Sequence, residues 1–304
     1  MYGKLTIGPI LFHWAAEKKK DFYFRIADEA PVDTVYIGEV VCSKRAPFFE
    51  GYYDEISQRL KRGGKRVVFS SLAEVMIIRE RKMTEGLCNL DDFEVEANDA
   101  SALYHLRGRS HRVGQYFNIY NEETLTHLVK NGATHISLPA ELSADSLSVL
   151  GKQSDSLGID LEVQVYGRVG LALSARCYHA RAHGRIKDNC QFVCEEDSDG
   201  MVLKTIDNVD FLCVNGVQTL SYKFLNLIQE IQSMYAMGIK FFRLSPHTGD
   251  MIRIISIYDD VLAKRCEPSK ALKMLSEVDI NIPYSNGFFY HTEGHKWIVC
   301  QRTV

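Results

Sequence analysis

The sequence has no marked excess of charge of either sign, no membrane-length apolar run and no glycine-rich phosphate loop. Its 304 residues carry 36 Lys and Arg against 39 Asp and Glu, a net charge of −3. That balance sets up no field that would draw nucleic acid or an acidic membrane. No stretch approaches the ~20 apolar residues that a membrane span requires. The first fourteen residues lack a basic segment followed by an apolar one, and Pro9, His13 and Trp14 interrupt what apolar run there is. They do not read as a secretory leader. A cytoplasmic location is therefore expected, where the eight cysteines serve as thiols or metal ligands rather than disulfides. GxGxxG and GxxxxGKS/T do not occur, which removes the usual dinucleotide and triphosphate loops. HExxH, GxSxG and CxxC are missing too, which counts against zincins, serine hydrolases and zinc ribbons. There is no internal repeat, linker or low-complexity segment.

What is present is alternation. Short apolar, strand-like runs at 5–10, 34–37, 66–69, 93–96, 112–117, 135–138, 161–166 and 241–244 are separated by amphipathic stretches. Helices are expected at 21–30, 52–62, 72–81, 122–130, 145–157 and 222–237. Gly63, Gly132, Gly158 and Gly238 suit left-handed C-caps, and Asn121 and Ser143 suit N-caps. Eight strands, most followed by a helix, predict parallel pairing with right-handed crossovers. Without a phosphate loop an open doubly wound sheet is disfavoured. The expected fold is a single α/β domain over 1–304, a (β/α)8 TIM-like barrel with some distortion. The alternation fails over 167–221, which reads as a cysteine-containing insertion on the C-terminal face, where long insertions carry function. Residues 267–304 read as a C-terminal cover, with 287–304 a terminal hairpin or cap.

Four cysteines stand out. Cys190 and Cys194 are four apart, so on a helix they would share a face. Cys177 follows the long run that ends near Ser174, and Cys42 follows the second strand. Residues just after barrel strands gather at one mouth, so four thiols can meet there. Lys44, Arg45, Arg176, Arg181, Arg185 and Lys187 accompany them, and cations favour the thiolate that binds metal. By spacing alone the set fits a [4Fe–4S] cluster, a structural zinc or unrelated thiols. Cys213 sits in an apolar run and reads as a small buried hydrophobe. Cys88, Cys266 and Cys300 have no partner at ligand spacing. His179 and His183 read as neutral or solvated loop residues.

Several strings resemble a known family: GEVVCSKR at 38–45, LSARCYHAR at 173–181, KDNCQFVC at 187–194, NGVQTLS at 215–221 and RLSP at 243–246. They are similar to the UbiV family of the collagenase-like peptidase superfamily, from about residue 8 to 250. The resemblance implies a barrel-like core and an oxygen-sensitive [4Fe–4S] cluster on Cys42, Cys177, Cys190 and Cys194. It implies a heterodimer with a UbiU-like protein, with quinone precursors presented by a lipid-binding accessory protein. The activity implied is oxygen-independent hydroxylation of ubiquinone precursors. One departure is the gap of twelve residues between Cys177 and Cys190, shorter than the family's, which reshapes a loop without removing a ligand.

Polar residues at strand ends should line the mouth: Glu39, Ser70, Ser71, Glu96, Asn98, Asn118, Glu141, Tyr166, Arg243 and His247. Glu39 and Arg243 lie inside the matching strings and are the candidate catalytic residues. Glu39 suits a general acid or base, or an acceptor for a phenol. Arg243 suits a bidentate clamp on a carboxylated oxygen donor. For both, the alternative is a buried ion pair that sets loop geometry. Other functions remain open at this level: an RNA hydroxylase of the same superfamily, a peptidase-like hydrolase, or a non-catalytic iron–sulfur scaffold. The mild acidity and the lack of a basic, aromatic extension count against RNA.

Overall fold

Eight parallel strands, all but one short and each apolar on the side that meets a helix, curl until the last hydrogen-bonds to the first. In chain order the first half runs β1 (Lys4–Ile7), α1 (Ala16–Glu29), β2 (Thr34–Ile37), α2 (Tyr53–Arg62), β3 (Arg66–Ser70), α3 (Ile78–Cys88), β4 (Glu94–Ala97) and α4 (Ala100–Leu106). It continues with β5 (His111–Val113), α5 (Glu122–Lys130), β6 (Ala133–Leu138), α6 (Ala144–Leu157) and the long β7 (Asp160–Leu173). Then come α7 (Tyr178–Ala182), β8 (Met201–Lys204), β9 (Asp210–Asn215), β10 (Gln218–Asn226), α8 (Ile231–Ala236), β11 (Phe241–Leu244), α9 (Met251–Leu262), α10 (Pro268–Val278) and β12 (Tyr284–Ser285). This computed structural model describes residues 3–278 and 282–299. Strands β1 to β7 pair in sequence, and β11 closes the ring by pairing in parallel with both β7 and β1. The fold is the expected (β/α)8 barrel.

Leu5, Ile7, Val35, Ile37, Val67 and Phe69 are buried in the main apolar core. Alternate positions hold Thr6, Tyr36, Glu96, Arg112, His135, Ser137, Glu162 and Arg243, all buried, as the two-residue period of a strand requires. Barrel interiors usually fill with branched apolar layers; this one is polar. Glu162, with no exposure, accepts from Thr6, from Tyr36 Oη (2.6 Å), Ser137 Oγ (2.9 Å) and Arg243 (2.8 Å), and meets His135 Nε2 at 2.9 Å. An unpaired carboxylate there would be prohibitive, so the network is what makes its burial tolerable.

The 167–221 insertion is an antiparallel extension at the C-terminal end of β7. β7 continues past the barrel rim, β10 returns along it, and β9 and β8 add on the far side. Several expectations are corrected here. The helix expected at 222–237 is strand β10 followed by the short α8, because the backbone at 218–226 pairs antiparallel with β7 and that at 218–221 with β9. The helix expected at 72–81 lies at Ile78–Cys88, and α4 was not anticipated. The strand expected to run to 117 ends at Val113, and a 3-10 turn, Gln115–Phe117, leads to left-handed Asn118 (φ 51°). Asn121 and Ser143 are N-caps, as expected. Gly158 is a left-handed C-cap at φ 68°. Gly63 is not left-handed: its φ is −74°, and the lack of a side chain matters because a Cβ would stand 2.4 Å from Ala27 O. The terminal segment forms no hairpin up to residue 299; β12 pairs in parallel with β10, and Asn286 ties it to Glu230 and Ile298.

Candidate functional site

The β2 strand ends in a turn that only glycine permits. Gly38 has φ +126°, and a Cβ would lie 2.5 Å from Ser70 O. The turn delivers Glu39, whose Oε1 accepts from the backbone amides of Val41 and Cys42, each at 3.0 Å. Glu39 thus fixes the loop that carries Cys42. Arg45, also buried, donates to Leu11 O and Asn215 Oδ1, both at 2.9 Å, which couples that loop to the turn between β9 and β10. Lys44 Nζ reaches Lys187 O at 2.6 Å and so ties the Cys42 loop to the segment before Cys190.

On the insertion side Cys177 caps α7, its sulfur accepting from Ala180 N at 3.4 Å. Cys190 and Cys194 do not share an α-helix, the case in which their spacing would put both on one face. Two 3-10 turns, Lys187–Asn189 and Val193–Glu195, are separated by Cys190, Gln191 and Phe192, the last two left-handed at φ 48° and 54°. This reversal, rather than helical periodicity, turns both cysteines inward. All four cysteines line one pocket at the C-terminal mouth, together with Arg45, Lys187, His179 and Phe192. Burial pushes the Cys42 and Cys194 thiols up, and Arg45 pulls both down, at Cys194 by a hydrogen bond as well as by charge. Of the basic residues read beside the cysteines, Arg45, Lys44 and Lys187 line the pocket, Arg185 holds Cys190 O at 3.2 Å, and Arg176 and Arg181 are exposed.

Two features had no signal in the sequence. Phe192 packs edge-on to Phe48 (4.7 Å between centroids), which packs edge-on to His13 (5.3 Å), an aromatic wall beside the thiols. His179 is not a solvated loop residue: it is fully buried, with Nε2 2.9 Å from Asp197 Oδ2 and its ring stacked on His183. Burial lowers the His179 pKa, and Asp197 opposes that. Among the described residues, His179, His183 and Asp197 form the one group of three or more potential ligands whose donor atoms all lie within 4.8 Å of one another. Cys213 is buried on β9 away from the pocket, its sulfur 3.5 Å from Asp199 O. Cys88 and Cys266 also lie outside it, and Cys300 is outside the described residues.

Glu39 and Arg243 are not brought together as a catalytic pair. Arg243 lies inside the barrel over the Tyr36 ring (3.9 Å), with its Nη2 on Glu96 (2.6 Å), Ser137 (2.8 Å) and Glu162 (2.8 Å). That is the ion-pair arrangement. Ser70 supports Glu96 at 2.7 Å, and Ser71 Oγ accepts from Asn98 N at 2.9 Å. Tyr166 Oη meets His247 Nε2 at 3.0 Å. Asn118 and Glu141 line a separate cavity at the mouth, where Tyr120 donates to Glu141.

The family model described as Peptidase family U32 matches residues 20–298. Among solved structures, an uncharacterized B. cereus protein is similar at 12% identity over 80% of this chain, with a TM-score of 0.41. This chain covers 61% of that protein's length. A class V chitinase from Nicotiana tobaccum in complex with NAG4 is similar at 10% identity, over 88% of this chain and 98% of that one, with a TM-score of 0.39. Likeness at that level carries no argument about function. No helix among the described residues is long and apolar enough to cross a membrane.

Proposed function

The chain belongs to peptidase family U32, and from that premise we propose that it is a UbiV-like, [4Fe–4S]-binding subunit of a heterodimeric, oxygen-independent hydroxylase of ubiquinone precursors. One observation carries the reading: four cysteines from three separated segments, Cys42, Cys177, Cys190 and Cys194, line a single pocket. The donor set fits the group. A tetrahedral zinc with bonds of ~2.3 Å would draw its sulfurs to within about 4 Å of one another. No three of these thiols stand within 4.8 Å of one another, wider than the sulfurs of one tetrahedral zinc would stand.

When bound, a cluster with four thiolate ligands supplies one-electron chemistry rather than an open Lewis-acid site. The chain's own residues hold it. Glu39 fixes the Cys42 loop, Arg45 offsets the negative charge of the thiolates, and Phe192 with Phe48 restricts solvent on one side. The partner is a UbiU-like protein, and a lipid-binding accessory protein would present the quinone precursor. The resemblance supports the substrate and the partners; the four cysteines around one pocket support the cofactor. A second reading, a scaffold whose catalytic residues lie in the partner, is favoured by Arg243, whose guanidinium is committed to Glu96 and Glu162.

Metal analysis tests the cofactor. Anaerobically purified protein should be brown, with about four irons and about four sulfides per chain. Cys190→Ala or Cys194→Ala should lose most of the iron, and Cys213→Ala should retain it. Colourless protein holding one zinc overturns the assignment.

A further inference from the structure

We propose that His179, His183 and Asp197 form a second metal site, apart from the four cysteines, which takes one divalent ion of the zinc type. His179 lies in α7, and His183 caps the C-terminus of that helix. Four residues apart, the two share one side of the helix, with their rings parallel to within 11° and 5.5 Å between centroids. Two histidines at this spacing are a recurrent half of a zinc site. The turn after Cys194 brings the third donor. Asp197 Oδ2 stands 2.9 Å from His179 Nε2, and one donor atom from each of the three residues lies within 4.8 Å of the other two. Zinc bonds of ~2.0–2.2 Å to nitrogen and oxygen are a small side-chain adjustment from that arrangement.

A hydrogen bond to Asp197 would account for His179, but not for His183. His183 Nδ1 lies 3.0 Å from His179 O. A carbonyl only accepts, so Nδ1 carries the proton and the neutral ring keeps its lone pair on Nε2. Metal-ligating histidines are held in this way, the far nitrogen donating to a backbone carbonyl. Among the described residues that Nε2 makes no hydrogen bond, and Glu196 Oε2, 3.9 Å away, is a ready fourth ligand. The His183 and Asp197 side chains are 30% and 32% exposed, so an ion can enter from solvent although His179 is fully buried. Imidazole and carboxylate without sulfur select zinc over calcium or magnesium, and no cysteine belongs to the group. The placement gives the ion a task. Helix α7 has only five residues, too few to hold itself. Cys177 directly precedes it, and Cys194 is three residues before Asp197. An ion here ties together the two ends of the segment that carries Cys177, Cys190 and Cys194. The site stands whether or not those thiols hold a cluster.

The experiment counts iron and zinc together in the full-length protein, purified anaerobically, dialysed against EDTA and given zinc before gel filtration. About one zinc per chain should stay bound in addition to the iron. X-ray absorption at the zinc edge should show nitrogen and oxygen at ~2.0–2.1 Å and no sulfur at ~2.3 Å. His183→Ala and Asp197→Asn should each weaken zinc binding at least about tenfold, with an unchanged circular dichroism spectrum to show that both variants fold. Added zinc should raise the unfolding temperature of the wild type and not that of His183→Ala. No stoichiometric zinc, a sulfur shell around it, or zinc held as tightly by both variants overturns the proposal. Iron without zinc removes this site and leaves the cluster standing. Zinc on nitrogen and oxygen in protein that carries no iron leaves this site standing and sinks the cluster.

Discussion

Glu162 shows how much one buried carboxylate asks of its surroundings. Burial pushes its pKa up, but Arg243 and His135 together hold it well below the ordinary carboxylate value. Such a group adds stability above its unfolded pKa, and that contribution is lost as pH falls toward the folded value. His135 has its own pKa lowered, chiefly by burial, so the unfolded chain takes up a proton there first. The barrel should therefore weaken from about pH 6.5 downward and more steeply below about pH 4.5, as read by denaturant unfolding at stepped pH. Glu162→Gln should cost about 3–5 kcal/mol at neutral pH, since it leaves Arg243 short of a buried counter-charge, and its acid limb should be shallower. Glu39 gives a sharper contrast. Glu39→Ala removes the acceptor for the Val41 and Cys42 amides and should lower bound iron. Glu39→Gln keeps a carbonyl acceptor and should retain iron. If the glutamine variant keeps iron and activity, Glu39 is a positioning residue; if it keeps iron alone, the carboxylate takes part in proton transfer.

At the scale of elements, the turn after β2 decides where Glu39 and Cys42 stand. Gly38→Ala places a methyl 2.5 Å from Ser70 O at φ +126°, a conformation that costs a non-glycine residue about 1–3 kcal/mol. The variant should melt lower, and it should lose iron out of proportion to that shift, because the strain falls on the loop that carries Cys42. The glycine was legible only as part of a matching string. The barrel strands, by contrast, were legible from their apolar runs, and β2, β11 and α5 lie where the periodicity puts them. Sequence reading failed where tertiary pairing overrides local pattern. In β10, Tyr222, Phe224 and Leu225 satisfy a helical stripe as well as a strand, and only the hydrogen bonds to β7 and β9 select the strand. Cys190 and Cys194 were placed together for the wrong reason, because left-handed Gln191 and Phe192 are residue types that give no warning of it. The burial of His179 left no trace in the sequence because its partner Asp197 lies eighteen residues away with no recognisable spacing; of the two readings, neutral or solvated, its lowered pKa agrees with the neutral one.

For the whole molecule, the site depends on two parts of the chain meeting: the β2 loop with Cys42 and the extension with the other three cysteines. Arg45 spans them through Leu11 and Asn215, so loss of either part exposes the other. Thiols lining a partly open pocket oxidise readily when no metal holds them, and under the proposed function that suits work in the absence of oxygen. A strain deleted for this gene and grown without oxygen should accumulate an under-hydroxylated ubiquinone precursor. Its aerobic ubiquinone should be unchanged, and complementation should require the UbiU-like partner. Arg243→Ala is a poor probe of chemistry in that strain, since it breaks a buried network and will weaken the fold whatever else it does. Glu39→Gln is better, because it is expected to keep iron. Full anaerobic ubiquinone with that variant would move the chemistry to the partner and leave this chain as the iron–sulfur scaffold. Unchanged ubiquinone on deletion, with a modified nucleoside missing from RNA, would instead place the chain among RNA-modifying members of its family, despite a net charge of −3 that gives RNA little electrostatic purchase.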